Sequence, residues 1–242
     1  RGSRPCRHRR PRSGRCSPVA IPPSVIVKDQ HGNVKSGVSV TFAVATGGGS
    51  VTGASTTTNA SGIATLTSWT LGSATGANTV TASGAGLTPA LITFTATGVA
   101  GTATQLQMAT QPSPSAQSGV ALAVQPAVRL ADVFGNAVAT NGVTVTVSLA
   151  SGSGTLGGTL SALTAGGVAT FTNLAITGPT GAYTLQFAST GLTSVTSTTI
   201  GIGAGVATQL AMVTQPSTSA VNGVAFAVQP AVQVRDAAGN PV

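Results

Sequence analysis

The sequence predicts an all-β chain of tandem two-sheet sandwiches, and three observations carry that prediction. Apolar residues alternate with Thr and Ser in segment after segment, a long block from the middle of the chain recurs at its end, and charged residues make up only 6% of 242 positions. An ordinary globular domain carries about 25% charged residues. Gly, Thr, Ser, Ala and Val take their place, a balance that suits short strands and turns rather than helices.

Alternation is the mark of a strand with one buried face, because successive side chains leave the pleat on opposite sides. Val38, Val40, Phe42 and Val44 share one face, and Val143, Val145, Val147 and Leu149 repeat the pattern. Tyr183, Leu185 and Phe187 alternate likewise, as do Ile92 and Phe94. Between these runs lie Gly-rich turns, and no stretch has the 3.6-residue spacing of a long amphipathic helix. About seven such strands within ~100 residues describe an immunoglobulin-like sandwich of two antiparallel sheets. Sustained alternation, with 32 Gly and 13 Pro in the whole chain, argues against a disordered polypeptide.

The repeat sets the domain organisation. Thr104–Val138 and Thr208–Val242 are identical at about two thirds of their positions, a period of 104 residues. A weaker copy precedes them: Asp29, Gly32 and Asn33 align with Asp132, Gly135 and Asn136, and Gly62-Ile63-Ala64 aligns with Gly167-Val168-Ala169. The expected organisation is an Arg-rich irregular tail at 1–20, a first immunoglobulin-like domain at 21–100 that lacks its opening strand, a complete second at 101–205, and the opening strands of a truncated third at 206–242. The third is shorter than the ~40 residues usually needed for independent folding, so poor packing is expected there. The tail falls where an opening strand belongs, and it reads as a shifted reading frame or a mis-called start in GC-rich coding sequence. Short linkers are expected near Gly98–Ala103 and Gly201–Gly205.

The formal charge of +8 describes that tail and not a protein surface. Arg1, Arg4, Arg7, Arg9, Arg10, Arg12 and Arg15 hold most of it, and beyond them Lys28, Lys35, Arg129 and Arg235 face three Asp. Nucleic-acid binding would need a basic stripe that continues across the folded repeats, and none exists in the sequence. Cys6 and Cys16 also lie in the tail, so the repeats have no disulfide and no thiolate metal site. No run of about 18 apolar residues occurs, so no membrane span is expected in this fragment.

The segments Pro23–Val34 (PSVIVKDQHGNV), Gly37–Val44 (GVSVTFAV), Gly47–Gly53 (GGGSVTG), Thr57–Leu66 (TTNASGIATL) and Thr93–Gly98 (TFTATG) resemble, in that order, the bacterial immunoglobulin-like domains of group 1, the invasin and intimin type. The resemblance covers nearly everything after about residue 20. It implies sandwiches exposed on the bacterial cell surface, in an outer-membrane-anchored or secreted parent, that extend a terminal adhesive module. It also implies that receptor contact belongs to a module elsewhere in the parent protein. The implied partners are the neighbouring domains of the same chain and, through other parts of the parent, a host or bacterial cell surface.

Candidate chemistry is sparse. The acidic residues are Asp29, Asp132 and Asp236, with no Glu, and all three open the same Asp-x-x-Gly-Asn element. Asp suits the first position of a type I turn and Gly the fourth, with the carboxylate accepting backbone N–H groups. One carboxylate per domain is too few for a calcium site or for paired acid–base work. His8 lies in the tail, and His31 sits inside the first turn where the later repeats have Phe134 and Ala238, so neither joins a triad or a metal cluster. Gly152, Gly154 and Gly157 spell the G-x-G-x-x-G of a dinucleotide loop, but no helix and no acidic residue follow. With Gly47-Gly48-Gly49 at the equivalent place in the first repeat, a hairpin loop is expected. Trp69 is expected in the core or at a domain junction, and the sequon Asn59-Ala60-Ser61 carries no further assignment.

The reading is a non-catalytic spacer or stalk repeat of a bacterial surface adhesin, with no catalytic, cofactor-binding or metal-binding residues and no cofactor. The alternative is a set of accessory modules of a large secreted enzyme such as a polysaccharide hydrolase.

Overall fold

A computed structural model describes residues 18–242. The Arg-rich segment with Cys6, His8 and Cys16 lies outside the described residues. Among the described residues there are strands and turns and no helix, so none is long and apolar enough to cross a membrane, which says nothing of β-barrels. The described residues divide into two compact units, 18–102 and 103–242.

In the first unit the strands are β1 (Ser24–Ile26), β2 (Ser39–Thr46), β3 (Ser50–Thr52), β4 (Ser55–Thr57), β5 (Ile63–Thr65), β6 (Ser68–Thr70), β7 (Gly76–Ser83) and β8 (Leu91–Gly98). The larger sheet runs β4-β2-β7-β8, and short pairs β1-β5 and β3-β6 oppose it. Val40 and Phe42 of β2 and Val80 and Ala82 of β7 point inward, as the alternation requires, and meet Val25, Leu66 and Trp69. Phe94 tilts against Phe42 with ring centroids 6.4 Å apart, whereas Ile92, expected beside it in the core, stays at the surface.

The second unit contains β9 (Gln105–Thr110), β10 (Ser115–Gln117), β11 (Ala127–Ala131), β12 (Thr144–Ser151), β13 (Thr155–Gly157), β14 (Ser161–Leu163), β15 (Val168–Thr170), β16 (Ala175–Thr177), β17 (Gly181–Ala188), β18 (Val195–Thr196), β19 (Ile200–Gly203), β20 (Ala207–Thr214) and β21 (Ala231–Asp236). One layer is ordered β10-β19-β17-β12-β14, with β18 on β17, and the other holds β15-β11-β9 and β13-β16. The opening of the domain is shared between layers: β9 pairs antiparallel with β11, and β10 pairs parallel with β19. Two packed sheets with this exchange of strands form an immunoglobulin-like sandwich. Its core gathers Val145 and Val147 of β12, Tyr183, Leu185 and Phe187 of β17, and Val128 and Leu130 of β11. Phe171 packs on Phe187 at 5.1 Å between centroids.

The two sandwiches repeat in detail. β2 and β7 slip register between Val44 and Thr46, and β12 and β17 slip between Leu149 and Ser151. At each slip a hydroxyl pair closes the gap at 2.7 Å, Thr46 with Thr79 and Ser151 with Thr184. β20 and β21 pair as β9 and β11 do, but Leu210 is 74% exposed where its equivalent Leu106 is 3%.

The glycines of the G-x-G-x-x-G match are not in a hairpin. β13 pairs with β16 in the opposite layer rather than with β12, so Gly152 and Gly154 form the corner at which the chain changes sheets. Gly152 holds φ at 93°, and a Cβ there would strike the Tyr183 ring. The same corner recurs at Gly47–Gly49, because β3 pairs with β6.

Candidate functional site

The three acidic residues are the natural place to look for chemistry. Each opens a tight turn at the end of a strand: Gly32 N–H donates to Asp29 O, Gly135 N–H to Asp132 O, and Gly239 N–H to Asp236 O, each at 3.0 Å. These are the i to i+3 bonds expected of Asp and Gly at the ends of a four-residue turn. Glycine is needed at the closing position, where φ is 86°, 86° and 84°.

One carboxylate oxygen organises the turn. Asp29 Oδ1 accepts His31 N–H at 3.0 Å and Asn33 N–H at 2.9 Å. Asp132 Oδ1 accepts Phe134 N–H and Asn136 N–H, both at 2.9 Å, and Asp236 Oδ1 accepts Ala238 N–H at 2.9 Å and Asn240 N–H at 2.8 Å. The asparagine that closes each element also donates its amide to Oδ2, at 3.2, 2.9 and 2.8 Å in turn.

The surroundings differ. Asp29 is partly exposed, with Lys35 Nζ at 3.5 Å. The Asn33 N–H, chiefly, holds its carboxyl below the ordinary range, aided by the Asn33 amide, the His31 N–H and Lys35, against a smaller opposing effect of desolvation. Asp132 and Asp236 are 2% and 1% exposed. For Asp236 burial alone would raise the pKa, but four hydrogen bonds, from the Asn240 amide and the Gly205, Asn240 and Ala238 N–H groups, together outweigh it and leave the carboxyl below its ordinary range.

Among the described residues no group of three His, Cys, Asp or Glu side chains could hold a metal ion. His31 lies at the surface with Nε2 3.1 Å from the Gln30 amide. Trp69 is in the first core, 1% exposed, and its indole Nε1 has no hydrogen-bond partner among the described residues. Asn59 of the sequon makes its own turn, its Oδ1 accepting Ser61 N–H and Ile63 N–H at 2.9 and 3.0 Å. A shallow groove in the first unit, lined in part by Lys28, Asp29, Gln30, Leu87, Thr88 and Pro89, offers one carboxylate and one ammonium.

Some structurally important polar residues carry little signal in sequence. Thr58 and Thr164 are buried, and each staples the start of a long strand: Thr164 Oγ1 donates to Thr140 O at 2.8 Å and accepts Val143 N–H at 3.0 Å. Thr58 does the same with Lys35 O and Val38 N–H at 2.6 and 3.0 Å. The only clue is a Thr a few residues before Gly62 and Gly167. Asn78 and Tyr183 anchor equivalent loops by different means. Asn78 Oδ1 accepts Gly72 N–H at 3.0 Å, and the Tyr183 hydroxyl lies 2.8 Å from Pro179 O and 3.0 Å from Ser153 O.

No family model matches the chain, and no curated protein does. Solved structures are similar at low identity. The D0-D1 domain of Intimin is 18% identical with a TM-score of 0.31, over 74% of this chain and 87% of that one. The structure of invasin, a bacterial integrin-binding protein, is 18% identical with a TM-score of 0.33, over 90% of this chain and 43% of that one. A glycosyl hydrolase family 2 member from Bacteroides cellulosilyticus is 16% identical with a TM-score of 0.38, over 68% of this chain and 21% of that one.

Proposed function

We propose that the chain is a run of non-catalytic spacer repeats from a bacterial surface protein, holding another module of that protein away from the cell. Recurrence is the observation that carries this reading. The same strand pairings, the same register slip and the same Asp-turn return in successive repeats, and the polar side chains buried in them hold turns and strand starts. Hydroxyl-rich outer faces supply solubility without charge: Thr79, Thr81 and Ser83 of β7 alternate with buried Val80 and Ala82. Sequence resemblance to the invasin and intimin repeats points the same way.

The test has two parts. Antibodies against residues 103–205 should label intact cells of the source bacterium, and removing one repeat from the full gene should shorten the reach of the terminal module without changing its affinity. Labelling only after lysis would overturn the surface assignment. Loss of turnover by an attached hydrolase domain on repeat removal would favour the accessory-module reading instead.

A further inference from the structure

The three carboxylates of this chain sit at one place in the repeat, and a turn alone does not account for all their bonds. Turn formation uses Oδ1 of Asp236, which accepts Ala238 N–H and Asn240 N–H. Oδ2 and the Asn240 amide also look outward, to the preceding repeat. Asp236 Oδ2 accepts Gly205 N–H at 2.7 Å, from the linker that follows β19. Asn240 Nδ2 donates to Gly178 O at 3.0 Å and Asn240 Oδ1 accepts Thr180 N–H at 2.9 Å, so one amide satisfies a donor and an acceptor on the turn between β16 and β17. Asn240 is 6% exposed. A buried carboxylate without partners would be strongly unfavourable, and here both oxygens are filled.

The linker is shaped to this contact. A Cβ on Gly205 would run into Ser118 O, so the backbone reaches Asp236 only because residue 205 has no side chain. Asp29 is the internal contrast: it builds the same turn with the same Oδ1 bonds, yet among the described residues its outward partner is Lys35 and not a linker amide. The outward bonds are therefore separable from the turn.

We infer that the Asp236–Asn240 turn is a latch that couples its hairpin to the preceding repeat, and that the surface it reads is the backbone of the Gly178–Thr180 turn together with the linker glycine. Three charge-assisted or neutral hydrogen bonds, converging from two loops, fix the orientation of β20 and β21 on the domain before them. A joint that would otherwise be a flexible Gly-containing linker becomes a defined hinge position. The inference goes beyond the spacer reading and depends on neither export nor adhesion.

The test uses the full 242-residue chain, with amide exchange and 15N relaxation read by NMR. In the native chain the Thr180 and Gly205 amides exchange slowly, and β21 relaxes as one body with β17. Asn240→Ala speeds Thr180 exchange at least about tenfold and gives β21 faster independent motion. Asp236→Ala also removes the turn's own bonds and can unfold the hairpin, so Gly205→Ala serves as the second variant: it leaves the turn intact, crowds Ser118 O, and produces the same two changes. Asp29→Ala moves neither readout. Open-loop exchange of Thr180 and Gly205 in the native chain would overturn the latch. So would unchanged exchange in Asn240→Ala and Gly205→Ala, faster exchange with no change in β21 relaxation, or an equal response to Asp29→Ala.

Discussion

Trp69 fills the first core with a ring whose N–H has no partner among the described residues, so volume and apolar area dominate its contribution there. Trp69→Phe removes the unsatisfied donor along with part of the ring and costs under about 2 kcal/mol, whereas Trp69→Ala leaves a cavity and costs about 3–5 kcal/mol. Urea unfolding of the first unit distinguishes them, and equal losses would show that the indole N–H matters. Thr164 is the opposite case, a small side chain whose worth is polar. Thr164→Val keeps the shape but orphans Val143 N–H, at a cost of about 2 kcal/mol in the second unit, while Thr164→Ser retains both bonds and costs about half as much. If the valine variant is as stable as native, the staple is ornamental to the fold.

At the scale of elements, β11 is held on both sides, by β9 and β15, with the Arg129 guanidinium donating to Gln107 Oε1 at 2.8 Å. Lys28 and Lys35 lie in exposed chain around the first Asp-turn. Trypsin should therefore cut the native protein after Lys28 or Lys35 long before it cuts after Arg129. Mass spectrometry of the early fragments tests this, and early cleavage within β11 would contradict the sandwich. The long strands were legible because Val38, Val40, Phe42 and Val44, like Tyr183, Leu185 and Phe187, alternate over enough residues to leave one reading. Where the chain changes layers, alternation says nothing about partners: Gly152 and Gly154 look like a hairpin loop in one dimension and form a corner in three. Ile92 shows the same limit from another side, since period two gives a face but not whether anything covers it.

For the molecule as a whole, acid should act late. Asp29 and Asp236 both titrate below the ordinary value of 3.8, so the stability they add is complete above that value and is lost as pH falls through the lowered ones. Their contribution is flat from about pH 8 to about 5 and falls below about pH 4. Urea midpoints measured at pH 7, 5 and 3 check the sign, and a decline between pH 7 and 5 would assign the effect to other groups. The turns themselves were legible from Asp-x-x-Gly-Asn, but the role of Asp236 at the junction was not, because Gly205, Gly178 and Thr180 come to it from distant parts of the chain. The third hairpin adds a point about timing. Its turn already grips the finished domain while Leu210 and Val232 lie open to water. Mooring thus needs only a two-stranded hairpin, with no closed core of its own. A segment tethered in this way searches a smaller volume than a free one, so in synthesis from the N-terminus the hairpin is seated by the domain already folded before it.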